Sequence, residues 1–152
     1  METQRMPSLH IGELTAPLPI VQGGMGIGIS GAGLASAVAN QGGVGVISAV
    51  GLGMLESTSR THYDETNQQA LIREIRAARK KTSGLIGVNI MVALSDYDSL
   101  ILGAVDEGVD IIFVGAGLPL HFPQALSPER MRSMHTRIVP IISSAKAAKL
   151  IL

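Results

Sequence analysis

The chain has 152 residues, enough for one domain with its own core. Its 12 Lys and Arg balance 12 Asp and Glu, so it offers no basic surface for nucleic acid or an anionic membrane. It has no cysteine and no tryptophan, and only two Phe and two Tyr, which excludes disulfides, thiolate metal sites and a base-stacking platform.

Residues 1–17 read as an N-terminal segment ahead of a domain spanning 18–152. The polar start, Met1 to Pro7, has no apolar signal core, and no apolar run is long enough to cross a bilayer. Together with the missing cysteines this predicts a cytoplasmic protein. A short strand at Ile20–Gln22 runs into the glycine cluster Gly23–Gly31 and then a small-residue helix, Ala32–Gln41. A second strand is expected at Val44–Val50. The next helix, Asn67–Thr82, carries Leu71, Ile72, Ile75 and Ala78 on one stripe, with Thr66 and Gln69 at capping-box spacing. Strand Leu85–Met91 is followed by helix Tyr97–Glu107 with Ser95 as its expected N-cap. Strand Ile111–Gly115 precedes a helix announced by Ser127-Pro128-Glu129, an N-cap followed by proline and an acid in the first turn. The last strand, Ile138–Ser143, contains Pro140, which is awkward in a central strand. Ala145–Leu152 then opens a fifth helix with no stop signal, so a truncated piece of something longer is expected.

Strands and helices in strict alternation imply parallel βαβ units. The strands are continuous apolar runs, as expected where both sheet faces are buried. Helix-to-strand connections are short, whereas Gly23–Gly31, Gly51–Thr66 and Gly115–Leu126 are long. Long loops at one end only place a site at the C-terminal ends of the strands.

Gly26-x-Gly28-x-x-Gly31 matches the dinucleotide fingerprint literally. That reading needs an acid at the end of the second strand to hold a ribose, and Val44–Val50 ends in small apolar residues; Glu56 lies well into the loop.

Four spaced motifs, Pro19-Ile-Val-Gln-Gly-Gly-Met25, Leu34 to Ser48, Gly87-Val-Asn-Ile-Met91 and Val114-Gly-Ala-Gly-Leu-Pro119, occur in order along nearly the whole chain. In these the chain resembles the nitronate monooxygenases, once called 2-nitropropane dioxygenases. FMN-dependent enoyl-acyl-carrier-protein reductases share the motifs. The resemblance implies an α/β fold, a partial TIM (β/α)8 barrel consisting of the first five strands and four helices and cut in the fifth helix. It implies FMN as cofactor and a small-molecule substrate, an alkyl nitronate or an enoyl thioester. The family's flavin contacts carry over to Gln22, Gly23, Gly24, Met25 and Asn89, with Gly115 and Ala116 on the same face. The catalytic histidine of the family lies in a Gly-Gly-His motif after the sixth strand, and its phosphate-gripping glycines follow the seventh and eighth. This sequence contains none of these, so no catalytic residue is assigned and an inactive fragment is a further reading.

Four histidines match no catalytic motif. His10 lies before the barrel, and His135 is placed in the fourth helix and solvated. His62 and His121 lie in loops on the active face. Asp64 and Glu65 beside His62 read as helix N-terminal charge, not metal ligands. A five-strand arc would leave Val46, Ile47, Val88, Ile90, Ile112, Val114 and Ile141 partly uncovered, and its open edges predict self-association.

Overall fold

A computed structural model describes residues 6–55 and 63–151, with side chains for all of these except 63–65. The chain opens with a feature the sequence reading did not anticipate. Leu9–Ile11 (β1) and Leu14–Ala16 (β2) pair as an antiparallel hairpin in the register Leu9↔Ala16 and Ile11↔Leu14. Gly12 takes φ +58° at the first position of its two-residue turn, where such hairpins favour glycine.

The main sheet is parallel and four-stranded, in the order Gly45–Ser48 (β3), Ile86–Met91 (β4), Ile111–Gly115 (β5) and Arg137–Pro140 (β6). The segment expected as the first strand joins it through one parallel bridge, Val21↔Val44. Gln22 N–H donates to Val44 at 3.0 Å, and Val44 N–H to Ile20 at 2.9 Å. Neighbours in the sheet follow chain order without reversal, as in an arc of a barrel and not as at a Rossmann switch point.

The helices are Ala32–Asn40 (α1), Tyr63–Arg79 (α2), Tyr97–Asp106 (α3), Pro128–Ser133 (α4) and Ala145–Ile151 (α5). A 3₁₀ turn, Leu52–Leu55, leads toward α2. Because α2 begins at Tyr63, Thr66 sits inside it and is not its cap. Asp96, not Ser95, occupies the N-cap of α3. Ser127 caps α4 as read, its side chain accepting from Arg130 N–H.

The sheet has two cores. Ile47, Val88, Ile90, Ile112 and Val114 face the helices and pack with Leu71, Ile75, Leu100 and Ile101. Val44, Val46 and Ile111 face the other way, under Leu14 and Ala16 of the hairpin, with Phe113 and Val139 beside them. Most of the residues expected on the uncovered inner face are therefore fully buried on the outer one. Continuous apolar runs have no period of two, so they do not reveal which residue faces which side. Pro140 is the last residue of β6. Arg137 donates its N–H to Asp110, just ahead of β5, and Ile141 donates to Val114 within it, and alternation turns the Pro140 nitrogen away from β5, where a missing N–H breaks no bond to it.

Candidate functional site

At the C-terminal ends of the strands, the loop Gly23–Ser30 folds back on itself around one hydroxyl. Ser30 is 2% exposed. Its Oγ accepts from Met25 N–H at 3.0 Å and from Gln22 Nε2 at 3.2 Å, and donates to the Gly23 carbonyl at 3.3 Å. Gln22 Oε1 accepts from Val46 N–H at 2.9 Å, tying the loop to β3, while its amide nitrogen also donates to the Gly23 carbonyl. The Gln22 side chain is thus committed to the protein itself, a structural role the sequence reading did not give it.

Asn89, on β4, extends Nδ2 to the Gly24 carbonyl at 3.1 Å. A Cβ at Gly24 would meet Asn89 Cβ at 2.7 Å, so this contact requires glycine. Gly23 differs. A Cβ there would meet only the Met25 side chain, at 3.7 Å, and its φ is ordinary. The surrounding protein does not demand a bare backbone at Gly23. Among the described residues neither Gly23 N–H nor Gly24 N–H has an acceptor.

Gln22, Gly23, Gly24, Met25 and Asn89 come together around a depression of about 190 Å³, walled by Val21, Val46, Phe113 and Ile141. Gly115 and Ala116 do not line it. Gly115 ends β5 and Ala116 follows it, held at φ +53°, with Gly117 at +146°. A left-handed alanine is a strained backbone. At Gly117 a Cβ would strike Val92 at 2.9 Å, so this position requires glycine.

The N-terminus of α1, where the dinucleotide reading would seat a pyrophosphate, is already filled. Glu74 on α2 accepts the Ala32 N–H at 2.5 Å through Oε2. A phosphate there would meet a carboxylate in the place its own charge requires. No local signal marks Glu74, which lies far along the chain from the helix it caps.

Below the adjoining loop, Asn67 is fully buried. Its Oδ1 accepts from Gly53 N–H at 3.0 Å, and Nδ2 donates to the Ala49 carbonyl at 3.2 Å and to Asp96 Oδ2 at 2.5 Å. Tyr97, 4% exposed, meets the His121 ring edge-on at 6.3 Å. Its hydroxyl is buried without a hydrogen-bond partner among the described residues. Burial, then the charge of Asp98, pushes it up to about 12.

His135 lies after α4, not within it, and its Nε2 is 3.2 Å from Asp110 Oδ1 at the opposite end of the sheet. His10 pairs with Thr15 Oγ1 on the hairpin. His62 is outside the described residues, as are the side chains of Asp64 and Glu65. Among the described residues no three His, Asp or Glu side chains gather as a metal site, and no helix is long and apolar enough to cross a membrane.

Comparison with known proteins agrees with the fold. Residues 8–101 match the nitronate monooxygenase family, and the chain belongs to that family. FabK from Thermotoga maritima is similar over 88% of this chain and 36% of its own, at 26% identity and a TM-score of 0.66. A nitroalkane oxidase from Streptomyces ansochromogenes shares the fold over 89% of this chain and 43% of its own, at 21% identity and a TM-score of 0.68. The chain therefore matches only 36–43% of the length of these TIM-barrel enzymes. No curated protein sequence matches.

Proposed function

We propose that this chain forms the flavin-ring portion of an FMN-dependent oxidoreductase site, with an alkyl nitronate as substrate. The observation that supports this is the pair of bare peptides at Gly23 and Gly24, N–H groups without acceptors among the described residues, beside the Asn89 amide over an apolar depression. The residues fit a flat heteroaromatic ring. At Gly23 the nearest atom to a side-chain position is Met25 Cγ at 3.7 Å, so a ring can lie against the backbone, and peptide N–H groups can donate to its carbonyl and nitrogen edge. Asn89 uses one donor on Gly24 and keeps a second donor and its carbonyl for a ligand. Val46, Phe113 and Ile141 supply apolar walls that exclude water from beneath the ring. Gly115 and Ala116, at the neighbouring strand end, belong to the same rim in this reading. FMN, when bound, supplies the acceptor for electrons removed from the substrate. This chain's residues bind and orient it, and no proton-transfer step is assigned to them.

A second reading, reduction of an enoyl thioester, is favoured by the FabK structure, which matches at the higher identity of 26%. Both readings share the ring site. Titration of the chain with FMN, followed by flavin fluorescence, tests it. Asn89→Ala should weaken binding about tenfold, the cost of one buried polar contact. Unchanged affinity would remove Asn89 from the site. Turnover of a nitronate in air, against turnover of an enoyl thioester with a nicotinamide donor, separates the two chemistries.

A further inference from the structure

We infer that Ser30 is the positioning residue of this site: its buried hydroxyl sets the direction of the Gly24 N–H without touching the ligand. The inference rests on the ring-site reading and adds to it a residue that no motif marks. A hydroxyl has one donor and two acceptor positions. Ser30 uses all three, on the Gly23 carbonyl, Met25 N–H and Gln22 Nε2. At 2% exposure it has neither capacity nor access for a ligand.

Its effect is transmitted by peptide geometry. The Gly23–Gly24 peptide is planar and trans, so its C=O and N–H point in opposite directions. Ser30, together with the Gln22 amide that it also accepts from, draws the Gly23 carbonyl toward the buried side, which turns the Gly24 N–H away from it. The next peptide is fixed at both ends: Asn89 holds the Gly24 carbonyl at 3.1 Å, and Ser30 holds Met25 N–H at 3.0 Å. The backbone of Ser30 completes the frame. Its N–H donates to the Met25 carbonyl at 3.2 Å, and its carbonyl accepts from Ser48 N–H on β3 at 2.9 Å. One residue thus locks the turn to itself and to the sheet. A donor held this way needs no reordering when a ligand arrives.

The experiment compares the wild-type chain with Ser30→Ala and Ser30→Thr, the second keeping the hydroxyl. Amide hydrogen exchange is measured by NMR at Gly23–Met25 and at the buried amides of β4 and β5. Added FMN is followed by fluorescence and by its near-ultraviolet and visible absorption bands. In Ser30→Ala, exchange at Met25 should rise about tenfold or more while β4 and β5 keep their protection. Bound FMN should show shifted bands and about tenfold weaker binding, both recovered at least in part by Ser30→Thr. Unchanged exchange at Gly23–Met25 would overturn the inference, as would unchanged bands and affinity of bound FMN in Ser30→Ala. Equal loss across the loop and the sheet would also overturn it, by showing a general structural role. A wild-type chain that leaves FMN free would overturn the ring-site reading instead, and exchange would still decide whether Ser30 holds the turn.

Discussion

The two ends of the parallel sheet treat their polar groups in opposite ways. At the N-terminal ends of β4, β5 and β6, charges satisfy one another. Asp110, 7% exposed, accepts from Arg79 at 2.7 Å and from Ile86 N–H at 2.7 Å, with His135 at 3.2 Å. Arg79 continues to the carbonyls of Gly84 and Gly108. Thr136 Oγ1 donates to Val109 at 2.8 Å, and the hairpin closes the end with Leu14 and Ala16. At the C-terminal ends, glycine peptides and half of an asparagine amide keep their capacity, and an alanine is held in a left-handed conformation. Groups consumed internally build stability, and groups left with capacity are available to a ligand. Within one sheet, the distribution of unmet hydrogen bonds separates scaffold from site.

The largest test of this contrast is Asp110→Ala. It leaves Arg79, which is partly buried, and the Ile86 N–H without their shared acceptor. Removing one partner of such a group costs about 3 kcal/mol. Urea unfolding followed by circular dichroism should show the midpoint falling accordingly. A loss under about 1 kcal/mol, the worth of an exposed pair, would show that the N-terminal end is not the stabilising end.

Tyr97→Phe tests the other end and should act in the opposite direction. Its hydroxyl is buried with no partner among the described residues, so deleting it removes an unmet polar group and leaves the ring packed. A gain of about 1 kcal/mol is expected. Because the folded-state value is raised from 10 to about 12, the fold favours the neutral phenol. That contribution is complete below the ordinary value of 10 and is lost as pH rises through the folded one. Thermal melts across that window should find the wild type losing stability and Tyr97→Phe keeping it. A Tyr97→Phe chain less stable than wild type at neutral pH would mean the hydroxyl is used.

Much of the scaffold was legible in the sequence because it is local. Continuous apolar runs placed the parallel strands to within a few residues, and Ser127-Pro128 placed a cap that the structure keeps. The hairpin was written in the alternation Leu9-His10-Ile11 and Leu14-Thr15-Ala16 around Gly12, but strands this short look like any polar leader. Sheet sidedness was not legible, because Val46 and Ile47 are equally apolar and only packing separates them. In the site, the glycines and Asn89 stood out by motif. Glu74 and Ser30 did not: a carboxylate capping a distant helix and a serine closing its own loop become visible only when three-dimensional partners are known.

The smallest expected effect lies at the N-terminal end, in the exposed pair of Glu13 and Arg137. Arg137 Nε donates to Glu13 at 3.0 Å, linking the hairpin turn to β6. The hydrogen bond from Arg137, the carboxylate's own backbone contact and the Arg137 charge hold Glu13 below its ordinary value of 4.5. A depressed carboxyl stabilises the fold above its unfolded value, and that stabilisation disappears as pH falls through the folded one. Solvent and salt screen a pair this exposed, so its contribution stays below those of Asp110 and Tyr97. Thermal melts of wild type and Glu13→Gln should differ slightly near neutral pH and low salt. The gap should close as pH drops below 4.5 and narrow when salt is raised. A gap that persists in acid would assign the effect to packing of the hairpin turn, and the closed end would then owe its stability to Asp110 and the apolar hairpin without help from this ion pair.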